Sequence, residues 1–297
     1  MAPGGARGWP RIKKHSTNLK AMNQSSAQYL QKARKLAASG KLREALDLCL
    51  KAAGMEPESD EPLRGALPVY ITLRRTDEAL DWLKTIIARH PTPYRAAALL
   101  DLMRMERAKK DDLAEAARKY LGQWPDDANV LLSGGAALQA ANEPEEAIAA
   151  YEKRLELVPN DAGVLNNLGH CRLDRGDMEG ALAEWRKILG MEVPAHVRDT
   201  ARYNLARALL LRGDMMSAEA ECAILCKDAP DNGAYLGLLA KIRAERGQKP
   251  DALREAKEAL EKDRGDVNAW LRLVRLTGES GDLEGAFGLL EQAAQKA

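Results

Sequence analysis

Residues 162–194 read AGVLNNLGHCRLDRGDMEGALAEWRKILGMEVP, and this stretch contains two apolar stripes at helical spacing. A turn at Gly176 and Asp177 separates the stripes, because glycine ends a helix well and aspartate caps the start of the next one. The same punctuation returns as GKLREAL at residues 40–46 and as GDLEGAF at residues 281–287. The pattern predicts pairs of amphipathic helices that repeat along the chain.

The spacing of prolines and alanines indicates that the helix pair is an internal repeat. Successive prolines are 34 residues apart at first, and the two later gaps are 35 and 36 residues: Pro57, Pro91, Pro125, Pro159, Pro194 and Pro230. A series of alanines precedes the prolines by twelve residues in the regular units: Ala45, Ala79, Ala147, Ala181, Ala218, Ala252 and Ala286. Because a proline ring cannot continue a helix, each proline is predicted to follow the end of a second helix.

This punctuation resembles the tetratricopeptide repeat family, whose pattern runs Trp-x2-Leu-Gly-x2-Tyr, then Ala-x3-Phe, then Pro. The fourth unit carries matching residues at Leu131, Gly134, Gly135, Leu138, Ala147, Tyr151 and Pro159. The resemblance covers about nine-tenths of the chain and implies an all-α, right-handed superhelical solenoid of about eight helix-turn-helix repeats. The units in this frame are residues 26–59, 60–93, 94–127, 128–161, 162–198, 199–232, 233–266 and 267–297.

Small residues at the eighth place of the repeat and alanines at the twentieth are predicted to let the paired helices approach closely. The eighth-place residues are Ala33, Gly135, Gly169, Ala206 and Ala240. The third unit departs from the pattern, since Asp101 and Leu113 take these two places, and we expect its helices to be rotated or shifted by one residue. Three extra residues between the fifth and sixth units are expected to change the local curvature.

The composition argues against several classes of protein. Apolar residues make up 45% and charged residues 30% of the 297 positions, whereas aromatic residues make up 4%, as suits a folded helical protein. The 45 basic and 44 acidic side chains leave a net charge of +1, so no global field attracts nucleic acid, and nucleic-acid binding is not expected. No run of 18 apolar residues is present, and no membrane span is predicted.

Residues 1–25 differ from the rest, because they are rich in Gly, Pro and Ser and carry five basic side chains and no acid. We expect a solvated, disordered tail, with a basic arm that contacts an acidic surface as the alternative. A true start at Met22 is a further interpretation, since the helical pattern begins just after it. The segment lacks the apolar stretch of a secretory signal, so a cytoplasmic location with reduced cysteines is expected.

No motif predicts catalysis, a metal or a cofactor, and the chain is expected not to be an enzyme. The run Ser133-Gly134-Gly135 lacks the lysine of a phosphate loop and lies in a predicted first helix, where small residues are structural. Cys222 and Cys226 share a helix face, but no further metal ligands accompany them, so both are predicted to pack in the core.

The resemblance also places a candidate binding site. In the tetratricopeptide family, first-helix residues at about places 2, 5, 6, 9 and 13 of each unit line a concave groove. This implies a peptide-binding groove within residues 166–275, lined by Asn166, Asn167, His170, Tyr203, Asn204, Arg207, Lys241, Arg272 and Arg275. Asn167 and Asn204 hold the same place in successive units and can offer a donor and an acceptor to a peptide backbone. Arg207, Lys241 and Arg275 form a basic row that can pair with ligand carboxylates.

The resemblance therefore implies a scaffold or adaptor that binds an extended or acidic segment of another protein. Two alternatives stay open: a non-catalytic arm of a larger enzyme or assembly, and, less favoured, a helical-repeat RNA binder. The last unit ends without a further helix to cover it, so self-association through the C-terminal end is an additional expectation.

Overall fold

The computed structural model describes residues 25–294, and within that range it contains sixteen α-helices and no strand. The helices are α1 (Ser26–Ala38), α2 (Leu42–Met55), α3 (Glu61–Thr72), α4 (Thr76–Ile87), α5 (Pro93–Met105), α6 (Lys110–Gln123), α7 (Ala128–Ala141), α8 (Pro144–Leu157), α9 (Ala162–Asp174), α10 (Met178–Leu189), α11 (Ala195–Arg212), α12 (Met215–Asp228), α13 (Gly233–Glu245), α14 (Lys249–Lys262), α15 (Val267–Glu279) and α16 (Leu283–Ala294). The chain divides between Pro91 and Thr92 into two compact units, the first with α1–α4 and the second with α5–α16. Residues 1–24, which hold nearly all of the predicted tail, and residues 295–297 lie outside the described range.

The helix ends follow signals that the sequence carries. The carboxylate of Asp161 accepts hydrogen bonds from the backbone N–H groups of Gly163 and Val164 and so caps the start of α9. Asp266 caps α15 in the same way, because its carboxylate accepts a hydrogen bond from the backbone N–H of Asn268. The turn after α9 contains Gly176 at φ 87°, a left-handed conformation that glycine adopts without steric cost.

Three repeats place a residue with a side chain in this turn instead of glycine. Arg74, Arg107 and Asn142 take φ values of 55°, 52° and 71°. Arg74 and Asn142 occupy the same repeat place as the glycines, whereas Arg107 lies one place earlier. Helix α5 also begins one place early, at Pro93, so the third repeat has the one-residue shift that Asp101 at its eighth place suggests.

Small residues bring the helices of a pair into close contact, as predicted. A Cβ atom on Gly169 of α9 would lie 2.8 Å from Cε2 of Trp185 on α10. A Cβ atom on Gly135 of α7 would lie 2.7 Å from Cε1 of Tyr151 on α8. The twentieth-place Ala181 is fully buried, so a large side chain at any of these places would force the helices apart.

Neighbouring pairs share one apolar core rather than separate ones. Trp185 and Ile188 of α10 belong to the same buried cluster as Leu205 and Leu209 of α11. The extra residues between the fifth and sixth repeats lengthen α11, which at 18 residues is the longest helix in the described part of the chain. None of the described helices combines the length and the apolar character needed to cross a membrane.

Candidate binding face on α9, α11, α13 and α15

The residues predicted to line a groove all lie on the first helices of the last four repeats. Asn166, Asn167 and His170 are on α9, Tyr203, Asn204 and Arg207 on α11, Lys241 on α13, and Arg272 and Arg275 on α15. Helix α11 contacts both α9 and α13, and α13 contacts α15, so the four helices lie side by side. We call this set of nine residues, together with Tyr235 of α13, the A-helix face.

All three predicted asparagines hydrogen-bond within the protein. The Oδ1 atom of Asn166 accepts hydrogen bonds from Nε1 of Trp185 at 3.2 Å and from Nδ2 of Asn204 at 2.8 Å. Asn204 is buried at 8% exposure, and Nδ2 of Asn167 donates to the hydroxyl of Tyr151 at 3.4 Å. The amides therefore connect α9 to α8, α10 and α11 and offer fewer free groups than the repeat frame suggests, while their contact with a peptide stays a prediction.

His170 completes this polar network. Its Nε2 atom lies 3.2 Å from Nδ2 of Asn204, so it acts as the acceptor of the amide N–H. Its ring packs edge-on against Trp185, with the centroids 5.4 Å apart. Burial lowers the pKa of His170 below its ordinary value of 6.5, and the positive charge of Arg207 acts in the same direction, whereas Asp174 opposes both. The side chain is therefore neutral at pH 7, and the network is complete in that form.

An aromatic pair lies beside this network. The rings of Tyr203 and Tyr235 are 5.8 Å apart and tilted by 39°, and the guanidinium carbon of Arg207 is 5.8 Å from the centroid of the Tyr203 ring. Tyr235 is missing from the predicted set, because it occupies the third place of its repeat, which normally faces the core. The signal that could have found Tyr235 is its residue type, because other repeats have small or aliphatic residues at this place, such as Val164 and Ala201.

The cations of the face have different surroundings. Arg207 and Lys241 are exposed, and neither has an ion pair with another described residue. Arg275 is exposed and lies 3.6 Å from the Glu279 carboxylate. Arg272 is half-buried, and its Nη1 atom occupies the space that a Cβ atom on Gly237 of α13 would take. Arg207, Lys241 and Arg275 keep equivalent places in their repeats, and the most enclosed cation of the A-helix face, Arg272, is not one of them.

Residues 132–191 match the family model described as tetratricopeptide repeat, which agrees with the proline and alanine period and with the paired helices. Residues 132–191 therefore contain tetratricopeptide repeats. The helices of the chain resemble a tetratricopeptide repeat protein from Parabacteroides merdae, with 15% identity and a TM-score of 0.59 over 93% of this chain and 94% of that one.

Two further solved structures resemble this chain in fold. PilW, a type IV pilus biogenesis factor, is 17% identical, with a TM-score of 0.58 over 67% of this chain and 91% of that one. The Cut9–Hcn1 hetero-tetramer of the APC/C contains a chain that is 14% identical, with a TM-score of 0.58 over 92% of this chain and 53% of that one. At such identities the similarity concerns the fold alone.

A curated relative matches part of this chain. Cellulose synthase operon protein C of Xanthomonas axonopodis pv. citri is 30% identical over 162 residues, which are 52% of this chain and 11% of the relative. The chain therefore spans about a tenth of the length of that relative.

The cysteines of the chain pack largely as predicted. All four are free thiols, and Cys49, Cys171 and Cys222 are buried, whereas Cys226 is half-buried. The thiol of Cys222 donates to the backbone carbonyl of Tyr235 at 3.4 Å. Within residues 25–294, no three His, Cys, Asp or Glu side chains are grouped so that they could hold a metal ion.

Proposed function

We propose that this protein is an interaction scaffold that binds an extended segment of a partner protein on the A-helix face. The observation that carries the proposal is the row of polar and cationic side chains that four successive first helices present side by side. Asn166, Asn204 and His170 are already fixed by hydrogen bonds to one another. A surface that is ordered beforehand loses little conformational freedom when a ligand binds. The hetero-tetramer that contains Cut9 and Hcn1 supports the proposal by analogy of fold.

The first test is an affinity capture from the source cells, followed by reconstitution with the purified captured protein. The test variant is Arg207→Glu with Arg275→Glu, which reverses two exposed charges of the A-helix face. The control is Arg186→Glu with Arg264→Glu, which makes the same change at exposed arginines of α10 and of the loop before α15. Binding by the wild type and the control but not by the test variant, at unchanged helicity, is the expected result.

Equal binding by both variants would place the interaction elsewhere on the molecule. Capture of nucleic acid that weakens steeply as salt concentration rises would instead favour the RNA-binding alternative. The two double variants have the same net charge, so a difference between them reports position and not overall charge.

A second candidate is a non-catalytic arm of a larger enzyme or assembly. The similarity to a part of the much longer cellulose synthase operon protein C favours it, since there the matching region belongs to a larger chain. Co-purification of a catalytic protein at fixed stoichiometry would distinguish this arm from an adaptor with exchangeable partners.

Self-association is supported by an apolar stripe on α16. Leu283, Phe287 and Leu290 are 66%, 69% and 45% exposed and share one helix face at i, i+4 and i+7. At the repeat place of Phe287, α10 has Leu182, which is buried in the same cluster as Leu205 and Leu209 of the following helix pair. A second copy fits this stripe, because two antiparallel α16 helices would set Phe287 near the two-fold axis and Leu283 against Leu290 of the other copy.

Sedimentation velocity at several protein concentrations tests this contact. We expect wild-type dimers that Phe287→Glu converts to monomers, while Met216→Glu, at an apolar residue of α12 that is 74% exposed, leaves dimers intact. A wild type that stays monomeric up to about 100 μM would contradict self-association, since that range spans weak specific contacts.

A further inference from the structure

Arg272 differs from three other half-buried arginines of the second compact unit. Arg172, Arg202 and Arg243 are each half-buried, and each has a carboxylate oxygen within 3.0 Å. Arg272 is also half-buried, but among the described residues it has neither a carboxylate within 4.0 Å nor a hydrogen-bond acceptor. A guanidinium group has five N–H donors, and no nitrogen of Arg272 is among the buried side-chain atoms that lack a partner, so its donors reach solvent. The guanidinium group of Arg272 is therefore open to a ligand, because no acceptor of the protein occupies it.

The surroundings of Arg272 hold its guanidinium group on the A-helix face. Nη1 occupies the volume above the backbone of Gly237 on α13, which a side chain at that position would fill. Asp266 attracts the charge of Arg272 from a greater distance, but its carboxylate caps α15 by accepting the N–H of Asn268 at 2.9 Å. Burial lowers the pKa of Arg272, and the group stays a cation at neutral pH.

Two further features of the face bear on the nature of a ligand. Tyr203 lies within electrostatic range of Arg272 and forms a ring pair with Tyr235. Arg275, Arg207 and Lys241 add exposed positive charge to the same face, and the Arg275 charge opposes that of Arg272. A nearby anion would relieve this repulsion and would supply the acceptors that the guanidinium group lacks.

We propose that Arg272 binds the side-chain carboxylate of an Asp or Glu residue in an extended protein segment, while the Tyr203–Tyr235 pair packs against the neighbouring residues of that segment. The proposal rests on the proposed function and adds the chemistry of the partner. Arginine fits this task because its planar donors can form two parallel hydrogen bonds with one carboxylate. The exposed cations would attract the same acidic segment over a longer range.

The test uses a displayed library of random 12-residue peptides selected on the full chain. We expect the enriched peptides to share one Asp or Glu position. Binding of the best peptide should fall about 10- to 100-fold when Arg272→Gln removes the charge, the range for hydrogen bonds to charged groups. Replacing the peptide acid by its amide should give a similar loss, and in the Arg272→Gln variant the amide should cause no further loss.

Two additional variants separate position from charge. Gly237→Ala keeps Arg272 but displaces its flexible end, so we expect weaker binding with little change in stability. Arg264→Gln removes one exposed arginine charge away from the face and is expected to bind as the wild type does.

The outcomes distinguish this inference from the proposed function. Suppose that the selected peptides lose binding in a Tyr203→Ala variant. If they then share no acidic position, or bind the Arg272→Gln variant as tightly as the wild type, the role of Arg272 is wrong and the proposed binding on the A-helix face is retained. Failure to select any peptide, or binding that no variant of the face affects, would overturn both proposals.

Discussion

Replacing Gly169 with alanine tests the close packing of α9 on α10. The added Cβ atom would lie 2.8 Å from Cε2 and 2.9 Å from Nε1 of Trp185. Trp185 is 1% exposed, and its Nε1 atom donates a hydrogen bond to Asn166. The indole ring is therefore enclosed on all sides and tied at its polar end, so it cannot move aside freely.

The expected change in the free energy of unfolding combines three terms. Carbon atoms normally approach to about 3.5–4.0 Å, so the overlap approaches one ångström, and overpacking of this kind costs about 1–3 kcal/mol. Displacement of Trp185 would also weaken its hydrogen bond to Asn166, a loss of about 1 kcal/mol. Alanine gains about 1 kcal/mol over glycine in helix propensity. The sum predicts that Gly169→Ala destabilises the protein by about 1–3 kcal/mol.

Gly122→Ala is the matched control, because it makes the same chemical change in the same compact unit. A Cβ atom at position 122 of α6 would have no atom within 4 Å, so only the propensity term applies, and we expect a gain of about 0.5–1 kcal/mol. Urea unfolding followed by far-UV circular dichroism and tryptophan fluorescence measures both variants. Equal stabilisation by the two substitutions would refute the packing argument.

Three further predictions concern single side chains. Glu184→Ala should lower the free energy of unfolding by about 1.5–3 kcal/mol, because its carboxylate is 1% exposed and lies 2.6 Å from Arg172, which keeps Glu152 as a second partner. Lys187→Ala at the exposed partner of Glu184 should cost little, and similar urea midpoints for the two variants would contradict this. Burial lowers the pKa of His170 in the folded protein, so below pH 6.5 the unfolded chain binds a proton more readily than the folded one, and the free energy of unfolding should fall as the pH falls. Between pH 7.5 and pH 5, the urea midpoint of a His170→Gln variant should therefore fall less than that of the wild type. One thiol should react quickly with a disulfide reagent in the native protein, because Cys226 is half-buried and the other cysteines are buried; a Cys226→Ser variant that retains the fast phase would contradict this assignment.

The sequence alone determined the local architecture. Apolar periodicity and the proline and alanine spacing predicted the helix pairs, because both depend on residues close together in the chain. The Gly176 turn was equally predictable, since its left-handed backbone is a local property of glycine. The family frame extended this to contacts within a pair, such as Gly169 against Trp185, which are sixteen residues apart in a regular unit.

Only the tertiary structure decided which polar groups of the face are free. Asn204 and Asn166 are 38 residues apart, and whether their amides hydrogen-bond depends on how one repeat stacks on the next. The same stacking set Tyr235 beside Tyr203 and left Arg272 over Gly237 without a carboxylate within 4.0 Å among the described residues. A repeat frame assigns each residue to a face of its helix, but hydrogen bonds and ion pairs require distances near 3 Å, and small rotations between neighbouring helices change these distances.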